Sequence, residues 1–254
     1  MKSKVQVASL RSTLKFPTNA PSRLASRFYL WFPVCAFLIV FAGFARTYYL
    51  RPIFEVRRLP VLLHLHGFLF TSWFVLFFVQ ALLVAKDRVD LHRRLGILGA
   101  ILAPLCTGVA WTVAIHAVRR SYVAHPASFT HLGVRPLAMD FGTSLMFLVL
   151  VAIALYLRRR PDFHKRVMVL ACCSILLPAI GRIPYVWDTV GFWGLVAVTE
   201  IPPLACIPYD TIKHRRLHPA FGWGGAAVLA SFPAFMLIGV TDSWLRFVTW
   251  LVRL

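Results

Sequence analysis

The sequence predicts an all-α fold, a polytopic transmembrane helix bundle of about seven spans assembled from hairpin repeats. Three observations carry that prediction. Of 254 residues, 59% are hydrophobic and the mean hydropathy is +0.72, far above what a soluble domain of this length needs for its core. Several segments supply the roughly 20 apolar residues that a helix needs to cross a hydrocarbon layer about 30 Å thick. Finally, Asp90-Leu91-His92-Arg93-Arg94-Leu95-Gly96 returns 72 residues later as Asp162-Phe163-His164-Lys165-Arg166-Val167-Met168. A looser third copy, Lys213-His214-Arg215-Arg216-Leu217-His218-Pro219, follows after another 50, and all three copies have long apolar flanks. A repeat with matched flanks says more about architecture than any single motif.

Taken in order, residues 1–27 form a basic cytoplasmic tail with six Lys or Arg and no Asp or Glu, a composition that an organellar transit peptide shares. Residues 28–240 form the membrane domain, with spans expected at 28–50, 61–85, 95–118, 137–157, 167–187, 190–209 and 219–240. Residues 241–254, through Trp244 and Trp250, make a short interfacial tail. The tail and the loops at 86–94, 158–166 and 210–218 collect 18 Lys or Arg, the opposite side 9. The positive-inside rule therefore expects a cytoplasmic N-terminus in a bacterial cytoplasmic (inner) membrane. All three repeats then stand at the cytoplasmic turns of hairpins.

A net charge of +19 invites nucleic acid as a partner, but the 28 Lys and Arg lie between apolar segments rather than on one soluble face. The expected partners are the phospholipid bilayer and its anionic head groups, with other membrane subunits a further possibility and nucleic acid excluded. All five cysteines fall within apolar segments without metal-knuckle or disulfide spacing, and read as packing residues.

Asp90 and Asp162 stand where an N-cap acceptor would satisfy free amides. Free amides with His92, Arg93, Arg94, His164, Lys165, Arg166, Arg215 and Arg216 make an anion or head-group surface, with snorkelling anchorage as the simpler reading. The outer half holds a different set. His64-Leu65-His66-Gly67 opens the second span, and His64 and His66, about 200° apart on a helix, cannot both face the bundle. His66 continues into Phe70, Trp73, Phe77 and Gln80, and Gly67 leaves room for a planar ligand or another backbone. His116, Asp140 and Arg182 fall near the same depth, and Glu200 precedes Pro202-Pro203. Arg182 needs a carboxylate partner, with Glu200, Asp140 and Asp188 the candidates. His64, His66, His116, Asp140, Arg182 and Glu200 are thus the expected cofactor-binding set, with His66 and His116 the expected metal ligands.

The residues His64-Leu65-His66-Gly67, Gln80, Val89 through Gly96, Lys165-Arg166-Val167-Met168 and Leu177-Pro178-Ala179-Ile180-Gly181-Arg182 resemble an uncharacterised family of bacterial multi-pass, histidine-containing membrane proteins. The resemblance covers about residues 61 to 220 and implies topology rather than an activity.

Three functions follow. One is histidine-based binding of haem b or a transition metal for membrane redox chemistry. The second is a small-solute or proton transporter using Arg182 and Glu200 in Pro-broken spans. The third is an accessory or assembly subunit of a larger membrane complex. Whether the protein is an enzyme is left open, since no nucleophile elbow, catalytic carboxylate pair or phosphate loop is visible. His214-x-x-x-His218 has metal-like spacing, but Pro219 and its short basic loop speak against it.

Overall fold

The computed structural model describes residues 23–54, 58–124, 126, 129–184 and 186–253. Residues 1–22, most of the expected basic tail, lie outside the described residues. Among the described residues ten α-helices follow in order: α1 Arg23–Phe44, α2 Val61–Ala85, α3 Val89–Ala124, α4 His131–Tyr156, α5 Pro161–Ser174, α6 Leu177–Ile180, α7 Val186–Thr199, α8 Ile201–His214, α9 Pro219–Gly239 and α10 Asp242–Arg253. No strand occurs among the described residues. The all-α expectation therefore stands.

Among the described residues five stretches are long and apolar enough to cross a membrane: Arg27–Tyr49, Val61–Ala85, Val89–Ala124, Gly133–Arg159 and Pro219–Gly239. The spans expected at 167–187 and 190–209 are instead interrupted, one into α5 and α6, the other into α7 and α8. The physical reason lies in the residue types. Pro178 has no amide to donate to the ladder, Gly191 takes a positive φ of 61° that breaks α7 internally, and Pro202-Pro203 restart the chain as α8.

Broken backbone is tolerated at membrane depth only where protein surrounds it. That is where the fold puts it. Val169 through Leu177 form an unbroken buried run, packed among α1, α4 and α9. By contrast α2 buries only Trp73 and Phe74 and turns Val61, Leu65, Phe68 and Val75 outward. An apolar helix exposed in this way is in keeping with contact to lipid.

The helix ends define two faces. Tyr29 near the start of α1, Arg166 in α5 and Asp210 in α8 are hydrogen-bonded together, so the repeat-bearing turns share one end of the bundle, the motif face. At the far face α10 lies against the end of α3 and the start of α4, with Val248 and Val252 packed on Ala114, Val118, Val134 and Leu137. Trp244 Nε1 donates to the Val134 carbonyl at 3.1 Å. Residues 242–253 of the expected tail thus form a helix packed on the bundle.

Two glycines permit close crossings. A Cβ on Gly43 of α1 would strike the backbone carbonyl of Ala179 in α6, and one on Gly67 of α2 would fall within the Tyr48 ring. A ring can swing aside, but a buried backbone cannot. Gly43→Ala is therefore expected to lower stability in detergent by about 1–3 kcal/mol, and Gly67→Ala by less. Thermal unfolding of the two variants checks the order.

Candidate functional site

Three polar regions are built into the bundle, one at each face and one between them. At the motif face, α5 begins with Pro161 at its first turn, which places Asp162 inside the helix rather than at its cap. Its carboxylate accepts from Lys165 at 2.9 Å instead of from a free amide, and that bond holds Asp162 below the usual carboxylate range. Arg166, one turn on, is buried. Its Nε donates to Asp210 Oδ2 at 2.8 Å and Nη2 to Oδ1 at 2.9 Å, a two-pronged pair with both side chains only 2% exposed. Tyr29 donates its hydroxyl to the same Oδ1 at 2.8 Å, and Arg166 Nη1 reaches the Asp162 carbonyl at 2.8 Å. All three guanidinium nitrogens and both carboxylate oxygens of the pair are hydrogen-bonded.

Arg166 is thus turned inward to Asp210 and is not a free head-group contact. Arg93, Arg94, Arg215 and Arg216 are exposed, and Lys165 sits with its Nζ 5.0 Å from the Tyr29 ring. Asp210 and Tyr29 were missed in the sequence. The available signal was an acidic residue at the end of the apolar run Cys206-Ile207-Pro208-Tyr209, where an unpaired carboxylate is costly.

The two repeat histidines meet. The His92 and His164 rings lie 6.2 Å apart and perpendicular, so equivalent positions of two repeat copies pack on each other. His164 Nδ1 donates to the Ala154 carbonyl at 2.8 Å, since a carbonyl can only accept. His214 does the same toward the Asp210 carbonyl. His218 has the opposite tautomer, because its Nδ1 accepts the Ala220 amide at 3.2 Å and caps α9.

At the far face the expected cofactor set comes apart. His66 has its Nδ1 buried and its ring 4.6 Å from Phe70, whereas His64 is exposed on the opposite side of α2. His116 is exposed on α3, with Nδ1 donating to the Thr112 carbonyl at 2.8 Å. The register of α2 on α3, fixed by Gly96 against Gln80 and Gly99 against Leu76, puts residue 109 or so opposite His66. His116 is then about 10 Å further along the axis at 1.5 Å per residue. The space beside Gly67, expected to admit a planar ligand, holds Tyr48 of the chain itself. Among the described residues no three His, Cys, Asp or Glu side chains gather as a metal-ligand set. A haem or metal held by His66 and His116 together does not fit this arrangement.

Arg182 donates to the Pro178 carbonyl at 2.9 Å and lies 5.0 Å from the Phe44 ring. Of its three candidate partners, Asp140 feels its charge most directly, though without an ion pair among the described residues, and His66 lies within the same field. Glu200 is elsewhere.

Glu200 stands between α7 and α8 and borders a small cavity, about 10 Å³, room for one water-sized guest. Thr143 of α4, Ser174 of α5, Thr199 of α7 and Ser231 of α9 line it with Glu200 and Cys173. The four hydroxyl residues are buried. Here the two interrupted segments meet. The sequence marked Glu200 and its prolines but not the hydroxyl lining, because single Ser and Thr residues in apolar helices are common packing residues.

No family model, curated protein or solved structure matches the chain. The site has to be read from its own chemistry.

Two outcomes are expected. Asp210→Ala leaves a buried guanidinium uncompensated and should cost about 3–5 kcal/mol, while the joint change Arg166→Met with Asp210→Leu recovers most of it; thermal unfolding of both proteins in detergent measures the difference. His218 must be neutral to cap α9, and burial, then the charges of Arg166 and Arg216 against Asp210 and Asp162, hold its imidazole below the ordinary 6.5. Its contribution is complete above that value and is lost as pH falls through the folded-state value. His218→Asn, which keeps a capping acceptor, should flatten the decline in melting temperature on acidification below about pH 6.5.

Proposed function

We propose that this protein is a membrane carrier that moves a small solute or protons across the bilayer through a site at Glu200. One observation carries the reading. A carboxylate and four buried hydroxyl residues border a small cavity at the point where two consecutive segments are both interrupted, and interrupted segments at membrane depth frame binding sites in carriers.

The same reading takes α5 with α6 as one outward crossing and α7 with α8 as the return, giving seven crossings. The bonding of Arg166 to Asp210 supports it, since chain that leaves the motif face in α5 is back there at the end of α8. The excess of basic residues supports a cytoplasmic motif face and N-terminus in a bacterial inner membrane, with Arg93, Arg94, Lys165, Arg215 and Arg216 on anionic head groups. The resemblance to the histidine-motif family is compatible with this and adds no activity. The redox reading loses its support where His66 and His116 stand at different levels. The accessory-subunit reading has no feature of its own beyond the basic surface.

The experiment is flux in proteoliposomes. Glu200→Gln should reduce proton or solute flux at least tenfold while Asp188→Asn, at an exposed position away from the cavity, leaves it unchanged. Equal flux in wild type and Glu200→Gln for every solute and for protons would remove the reading.

A further inference from the structure

We propose that the cavity at Glu200 is a binding site for one small monovalent cation, sodium or hydronium. The inference deepens the carrier reading, on which its role as transported species rests; the site itself can be tested without transport.

The argument begins with where the hydroxyl protons go. Thr143 donates to the Met139 carbonyl at 2.7 Å, Ser174 to Ala171 at 2.8 Å, Thr199 to Leu195 at 2.7 Å and Ser231 to Val228 at 2.7 Å. A hydroxyl has one proton, and all four are spent within their own helices. What they offer a guest is lone pairs. Cys173 is the remaining lining group with a proton, and a thiol is a weak donor. With the Glu200 carboxylate, the polar part of the lining is rich in acceptors and poor in donors, the rest being Leu177, Pro203, Val228 and Phe232.

Backbone electrostatics point the same way. Ser174 and Thr199 are the last residues of α5 and α7, so both helices bring their partially negative ends to the cavity. The start of α8 also lies here and would ordinarily contribute a cluster of free amides. Two of its first three residues are Pro202 and Pro203, which have none. A site for an anion would keep those amides. Among the described residues no Lys or Arg borders the cavity and Glu200 has no ion-pair partner.

Size selects within the class of cations. Space for one water-sized body admits sodium or hydronium and excludes choline and other organic ammonium ions. Sodium binds such a site through hydroxyl and carboxylate oxygens. Hydronium binds by giving its proton to Glu200, which leaves a neutral carboxyl beside a water. Charge balances in either case.

The test uses the full chain purified in detergent. Its unfolding midpoint is measured in sodium chloride and in choline chloride at equal ionic strength and pH. Sodium binding predicts a rise of about 3 to 6 °C at a concentration ten times Kd, absent in Glu200→Gln and reduced in Thr199→Val, which removes one oxygen at constant shape. Hydronium binding predicts no sodium response but a protonated-carboxyl infrared band near neutral pH that Glu200→Gln lacks. Absence of both effects means that the cavity holds neutral water only, and the proposal is wrong. Should Glu200→Gln not fold, Thr199→Val and Ser231→Ala decide the sodium arm, and an unchanged sodium response in both overturns the oxygen cage. Sodium binding without flux in liposomes would sink the carrier and leave the site, whereas flux indifferent to sodium and to pH would sink the site and leave the carrier.

Discussion

The constraint on which the fold depends is that peptide groups released from a helix cannot face lipid. Two segments of this chain are broken by proline and glycine, and each break frees backbone groups whose exposure to hydrocarbon costs several kcal/mol apiece. The fold encloses the first break, and at the second it buries Thr199 and Pro203 while Ile201 and Leu204 beside them stay exposed. The run Val169–Leu177 is walled by α1, α4 and α9, and Gly43 lets α1 come close enough for its backbone to touch that of α6. The long helix α2, which contains no proline and buries only Trp73 and Phe74, takes an outward position. Once the breaks are central, a cavity between them is a geometric consequence, since shortened helices end inside the bundle instead of at its surface.

A second tie keeps this centre in register with the motif face. Arg166 and Asp210 lie 44 residues apart and belong to the two interrupted segments, so their pair joins the first half of one to the second half of the other. Tyr29 adds α1 to the same knot. Replacing the charges by apolar side chains of similar volume would fill the same space, so the pair is no necessary source of stability. What it supplies is direction, because a bidentate guanidinium accepts one orientation of a carboxylate and an apolar contact accepts many. The repeat that carries Arg166 also carries His164, whose ring meets His92 of the earlier copy. One basic motif thus fastens two different elements.

How much of this was legible follows from what each feature needs. Helices α1, α2, α3, α4 and α9 were plain in the sequence, because a long apolar run has few other folds available. The breaks were visible as Pro178, Gly181, Pro184 and Pro202-Pro203 and the ladder was expected to be cut there, yet each segment was still counted as one span. Residue types show that a ladder is cut, not whether the halves stay collinear. The partner of Arg166 was hidden because pairing over 44 residues is a tertiary fact with no local signature. The loss of the His66 and His116 pairing has a similar origin. Both were expected near the same depth, but the α2–α3 register that separates them by about 10 Å is set by side chains at Gln80 and Leu76 packing on glycines.

The acids finish the argument, because a chain with 28 Lys or Arg and only 9 Asp or Glu must place each carboxylate with care. Three of them, Asp140, Glu200 and Asp210, sit within the bundle's apolar segments. Asp210 is locked to Arg166, and Asp140 lies in the field of Arg182. Among the described residues Glu200 has neither kind of neighbour, and its surroundings hold hydroxyl oxygens, helix C-termini and prolines without amides. A protein so rich in cations could have supplied one here with a single side chain. Leaving the position without one makes sense where the positive charge is meant to come and go, arriving from solution as an ion or as a proton rather than standing permanently on the chain.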